Sequence, residues 1–155
     1  MTLPDPRGPL TPEDRIVCAL DLPTLDEALR LVDSLGGRVR WFKIGMELFT
    51  REGPRAVESV LERGQGVFLD LKYHDIPATA ERAVESAGAL GVSLLTVHAA
   101  GGPAMLEACA RGRDRCQSPP AILAVTVLTS LDASALSAVG IERPVEEQVL
   151  AAGAL

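Results

Sequence analysis

Short apolar runs alternate with longer stretches of helical periodicity along most of the chain. Residues 16–21 form an apolar run ending in the carboxylate of Asp21. Residues 24–35 open on a capping candidate and carry apolar positions at helical spacing until Gly36-Gly37 stops them. A second run at 40–45 places Lys43 near its C-terminal end, and a helix is predicted from 54 to 63, closed by Gly64. The third strand falls at 66–73, and the helix at 79–90 is closed by Gly91. A fourth strand at 92–98, a small-residue loop at 99–102 and a helix from about 103 to 111 follow. The fifth strand is predicted at 121–130, with helical pattern from there to Leu155.

Strand and helix repeat at roughly 25 to 28 residues, which predicts a parallel sheet with helices outside it. The strands are almost continuously apolar, as expected when both faces are buried. Polar residues gather at the strand C-terminal ends: Asp21, Lys43, Asp70, Lys72, His98, Thr129 and Ser130. That end carries the active site in (β/α)8 barrels and in open α/β sheets. No GxGxxG or Walker-type loop follows the first strand, which weakens a dinucleotide-binding version. A complete barrel needs about 200 residues or more. Five strands precede Leu155, so the chain reads as about the first five βα units of a (β/α)8 barrel, with the first and fifth strands as unpaired edges.

The chemistry concentrates in residues 66–79. Strand alternation puts Asp70 and Lys72 on one face and Leu69 and Leu71 on the other. Asp75 follows in the turn before Ile76, Pro77, Ala78 and Thr79. A carboxylate and an ammonium at the end of an interior strand are costly to desolvate. Structural roles compete with a functional one: Asp75 as a helix N-cap with Pro77 in the first turn, and Asp70 with Lys72 as an ordinary ion pair. The lysine count favours function. Of fifteen basic residues only Lys43 and Lys72 are lysine, and both sit near predicted strand ends. Lysine can shift its pKa and hand over a proton, whereas arginine stays protonated.

Composition narrows the class. The net charge of −6 and the lack of a basic stripe argue against a nucleic-acid surface. No apolar run is long enough for a membrane span. Residues 1–14 are proline-rich and polar, without the apolar core of a signal peptide, and are read as a flexible tail ahead of a partial-barrel domain at 15–155. Cys18, Cys109 and Cys116 form no CxxC pair and have no histidines at ligand spacing. Cys18 reads as a buried thiol, and the other two are left open. A reducing cytoplasm is the simplest setting. Trp41 and Phe42 read as core, His74 as a residue ordering its turn and His98 as one packed at a strand end.

The segment from Asp70 to Thr79 resembles the signature of the orotidine 5′-phosphate decarboxylases, usually D-L-K-x-H-D-I-P-N-T. Ala19-Leu20-Asp21, residues 42–49, Val97-His98-Ala99-Ala100-Gly101-Gly102 and residues 124–130 resemble the family's other strand ends, in the right order, with the bacterial subgroup nearest. The resemblance implies a TIM-barrel homodimer that decarboxylates orotidine 5′-phosphate in pyrimidine biosynthesis, using neither metal nor organic cofactor. It implies that Asp21 contacts substrate near the ribose and base, and that Lys43 binds ribose within the charged network. Asp70 would stand beside the substrate carboxylate and Lys72 would protonate C6. Asp75 and Thr79 would reach into the other subunit's site, with Ile76 among the binding residues. Thr129 and Ser130 would lie on the phosphate-to-base side, Ser130 reading the pyrimidine.

Two departures stand out. Ala78 replaces the usual Asn of the signature, removing a polar anchor. The family grips the phosphate with loops after its last strands, including an Arg; these are expected to be missing here, which predicts near-zero activity for residues 1–155 alone. Two rival readings stand beside the decarboxylase. One is a sister sugar-phosphate enzyme of the 3-hexulose-6-phosphate synthase or 3-keto-gulonate-6-phosphate decarboxylase type, using metal-assisted enediolate chemistry. The other is a non-catalytic truncated copy. His74 through Pro77 and the Leu128-Thr129-Ser130 end argue against the first, and intact Asp70, Lys72 and Asp75 against the second.

Overall fold

The computed structural model describes residues 11–155. Its elements run β1 (Val17–Ala19), α1 (Leu25–Leu35), β2 (Trp41–Gly45), α2 (Met46–Glu52), α3 (Pro54–Leu61), β3 (Gly66–Tyr73), α4 (Pro77–Ala89), β4 (Leu94–His98), α5 (Gly102–Asp114), β5 (Ala121–Val125), α6 (Ala133–Ala138) and α7 (Val145–Gly153). Of the tail expected at 1–14, residues 1–10 lie outside the described residues. Pro12–Arg15 form a 3-10 turn in which the Thr11 N–H and hydroxyl donate to Asp14 Oδ2 at 3.1 and 2.8 Å. Asp14 also pairs with Arg40 at 2.6 Å, which ties this turn to the start of β2.

The strands pair in the order β1-β2-β3-β4-β5, every pair parallel. A doubly wound sheet reverses direction at a switch point, and this one does not. Each strand is laid beside its predecessor with a helical crossover between, the arrangement of successive units in a (β/α)8 barrel. β1 and β5 are the sheet edges, as the strand pattern predicts, and their apolar residues show it: Ile16, Val17 and Leu123 are about half exposed. The central strands are buried on the face that the helices cover and only in part on the other, where Phe68, Leu94 and His98 are half-buried. Phe42, Ile44, Val67, Leu69, Leu95 and Val97 are fully buried against Ala28 and Val32 of α1, Val57 and Val60 of α3, Val84 of α4 and Met105 of α5. Each large apolar side chain so buried contributes about 1.5–3 kcal/mol, and together they hold the sheet against the helices that cover it. Trp41 and Phe42 are core, as read.

Four local expectations change. The short helix α2 has no counterpart in the sequence pattern. Its one buried side chain is Leu48, so it carries little apolar periodicity, and Gly53 ends it at a φ of 63° with its N–H on the Phe49 carbonyl. β5 stops at Val125 instead of Ser130. The five residues of β4 are matched one for one by 121–125, and beyond Val125 the backbone has no ladder to join. Cys18 is half-buried, not buried, because it lies on the edge strand. Finally, α4 begins at Pro77 with Ile76 at its N-cap position, so Asp75 is not the cap.

Candidate active site

The C-terminal ends of β1, β2 and β3 bring four charged residues together. Lys43, from β2, stands with its Nζ 3.1 Å from Asp21 Oδ1 and 3.8 Å from Asp70 Oδ2. Lys72 grips both oxygens of Asp70, at 2.8 and 2.9 Å. Asp70 and Lys72 meet as the sequence predicts, but through a break in the strand and not through plain alternation. The order Asp21, Lys43, Asp70, Lys72 gives each interior charge an opposite neighbour, which offsets its desolvation. Asp70 is the most enclosed, with a side chain 14% exposed, and Asp21 the most open at 66%. Burial alone would raise the Asp70 carboxyl. The hydrogen bonds from Lys72 and Thr96, with the ammonium charges of Lys72 and Lys43, outweigh it and hold the carboxyl below the usual carboxylate range. The site therefore presents a carboxylate and an ammonium locked together at the sheet's open end.

The backbone beneath them is unusual. Leu69 pairs with Leu95 and Tyr73 with Val97, so β3 uses four residue steps where β4 uses two. Within this bulge Lys72 adopts a φ of 51°, the one left-handed non-glycine among the described residues. Bulges of this kind re-aim side chains next to active sites. The freed Lys72 N–H donates to Thr96 Oγ1 at 2.9 Å, and that hydroxyl donates to Asp70 Oδ1 at 2.9 Å. Thr96 is a residue that the sequence reading missed. Its signal is a hydroxyl near the end of the apolar run 92–98, which strand propensity also explains.

The remaining predicted residues lie further out. Asp75 is exposed and accepts only from the Ile76 N–H, at 2.7 Å. Ile76 is 67% exposed, and Thr79 is half-buried in the first turn of α4. Thr129 and Ser130 are exposed in the turn after β5, closed by the Leu131 N–H on the Leu128 carbonyl. The structure thus joins Asp21, Lys43, Asp70 and Lys72, and leaves Asp75, Ile76, Thr79, Thr129 and Ser130 without a side-chain bond to that group. Among the described residues no three His, Cys, Asp or Glu side chains stand close enough to hold a metal ion, and no helix is long and apolar enough to cross a membrane.

His98 closes β4 with its ring centroid 5.3 Å from that of His74. Its pKa is lowered by burial, then by His74 and Lys72. The unfolded chain therefore binds a proton near pH 6.5 that the folded chain refuses. Stability from this group is present above that pH and lost as pH falls through the lower folded value. Unfolding free energy measured in denaturant should decline from pH 7 downward, and His98→Asn should remove that part of the slope. An unchanged slope would assign the acid sensitivity elsewhere.

The profile of the Orotidine 5'-phosphate decarboxylase / HUMPS family matches residues 14–154. A protein of Moorella thermoacetica named orotidine 5'-phosphate decarboxylase is 52% identical over 143 residues, covering 88% of this chain and 57% of its own length. One of Anaeromyxobacter sp. strain K with the same name is 50% identical over 141 residues, covering 91% and 61%. The crystal structure of orotidine 5'-phosphate decarboxylase from Lactobacillus acidophilus superposes with a TM-score of 0.81 at 35% identity, over 88% of this chain and 64% of that one. The chain thus spans about three-fifths of the length of these curated relatives. With the profile running across nearly all of the described residues and relatives at half identity, the chain belongs to the orotidine 5'-phosphate decarboxylase / HUMPS family.

Proposed function

We propose that this protein takes part in the decarboxylation of orotidine 5′-phosphate to uridine 5′-phosphate, a carboxy-lyase step of pyrimidine biosynthesis, with Lys72 as the proton donor. The observation that carries this is the Lys72 ammonium held on the Asp70 carboxylate, with Lys43 and Asp21 completing an alternating line of charge. Loss of carbon dioxide from C6 leaves an in-plane carbanion with no adjacent π-system to accept it. A fixed ammonium there stabilises the developing charge and then delivers the proton. Asp70 orients that ammonium, and its repulsion of the substrate carboxylate ends as carbon dioxide departs. In this reading Asp21 and Lys43 meet the ribose.

Asp75 and Thr79 act in this reading on the site of a second subunit of a cytoplasmic homodimer. The exposure of Asp75 and Ile76, and the absence of a bond from Asp75 to its own network, support it. Thr129 and Ser130, on the turn after β5, are assigned to the pyrimidine and phosphate side. Ala78, exposed in the first turn of α4, removes a polar anchor at modest cost.

The test is spectrophotometric consumption of orotidine 5′-phosphate in excess chelator, by residues 1–155 and by a version extended to the relatives' length. Turnover by the extended form alone is expected, since remote phosphate binding drives chemistry at the ring. Mixing Lys72→Ala with Asp75→Asn protein should restore turnover, because one site of each mixed dimer then carries neither change. A strict magnesium requirement would favour the sister sugar-phosphate chemistry, and inactivity at both lengths would favour a non-catalytic copy.

A further inference from the structure

We infer that Thr96 is a positioning residue of this site: its single hydroxyl locks the Asp70 carboxylate and the Lys72 backbone to β4. The inference rests on the decarboxylase reading for its purpose, and on geometry for its substance. Thr96 is buried, and its one O–H donates to Asp70 Oδ1 at 2.9 Å while its lone pair receives the Lys72 N–H at 2.9 Å. The left-handed turn at Lys72 takes that amide out of the β3–β4 register, and an enclosed amide without an acceptor is costly. Thr96 is therefore what makes the bulge tolerable. It also restrains the carboxylate. Asp70 held only by Lys72 could swing about its Cβ–Cγ bond and carry the ammonium with it. A second bond from a neighbouring strand fixes the plane, and a reacting group needs that kind of support. Thr96 is itself anchored, paired with Leu123 of β5 in the ladder. The other charges facing Asp70 are Lys43 from β2, at 3.8 Å, and Lys72, with Asp21 acting through Lys43.

Thr96→Val keeps the shape and removes the hydroxyl, whereas Thr96→Ser keeps the hydroxyl. The measurement is amide hydrogen exchange at Lys72, together with the carboxyl titration of Asp70, by NMR on the full 155-residue chain. In Thr96→Val the Lys72 amide should exchange about tenfold or more faster, and Asp70 should titrate at higher pH than in the parent. Thr96→Ser should match the parent in both. A packing role alone would leave Thr96→Val unchanged, and that result, or a serine variant as perturbed as the valine one, overturns the inference. Should Thr96→Val not fold, the parent amide decides: strong protection at Lys72 supports the lock, and exchange at the open-chain rate removes it. Neither readout needs turnover, so inactivity toward orotidine 5′-phosphate at both lengths would end the decarboxylase reading and leave these outcomes standing.

Discussion

Replacing Lys72 by Ala in a form that consumes orotidine 5′-phosphate is expected to lower kcat/KM by about 10⁴-fold or more. General-acid transfer by a placed side chain is worth about 10²–10⁴, and a fixed charge at the developing anion about 10²–10³. One ammonium supplies both here, so the losses compound. Stability should tell a different story. Lys72 occupies a left-handed conformation at φ 51°, which costs an L-residue roughly 1–2 kcal/mol, and Ala inherits that strain. Glycine escapes it but gains freedom in the unfolded chain, worth about 0.5–1 kcal/mol against the fold. Lys72→Gly should therefore be as inactive as Lys72→Ala yet more stable by about 1 kcal/mol or slightly less. The strain is then local and belongs to the placement of the ammonium, since the fold is better off without a side chain there. Retention of more than a hundredth of parent activity in Lys72→Ala would remove it as proton donor, and a glycine variant less stable than the alanine one would remove the strain argument.

The sequence announced Asp70, Lys72, Lys43 and Asp21 because charge at the end of an apolar strand violates the local pattern. Violations of pattern are where a residue-by-residue reading is strongest. Strand order was legible for a related reason: repeated strand and helix units, with no phosphate loop after the first strand, left few topologies. Thr96 was not legible. A threonine in a strand is ordinary, and its importance lies in a bond to a residue 26 positions earlier and a bulge that periodicity cannot register. The helix α2 was missed because only one of its side chains is buried, so burial wrote almost no period into its seven residues. β5 is shorter than its apolar run for the opposite reason. Apolar residues continue past Val125 at Val127 and Leu128, but pairing ends when β4 does.

The second large effect is expected far from the site, at Gly112 on α5. In an isolated helix Gly→Ala stabilises by about 1 kcal/mol. Here a Cβ would stand 2.3 Å from the Glu81 carbonyl oxygen and 3.1 Å from its carbon, both backbone atoms of α4. Nothing can rotate aside, so α5 must back away from α4 along the whole contact. A retreat of even 0.5–1 Å forfeits a quarter to a half of each dispersion contact it opens. It also draws Arg111 and Arg115 from Glu81, which they now pair with across the two helices. Gly112→Ala should therefore destabilise by about 3 kcal/mol despite its better propensity, a fall in Tm of about 6–12 °C for a chain of this size. Gly88 on α4 is the control. A Cβ there meets the Cys116 side chain at 2.3 Å, so Gly88→Ala should be relieved in large part by Cys116→Ala. No single side-chain truncation should relieve Gly112→Ala, because its obstacle is main chain. If Gly112→Ala melts with the parent, α4 and α5 are not held at backbone contact, and the glycine there is incidental to their packing.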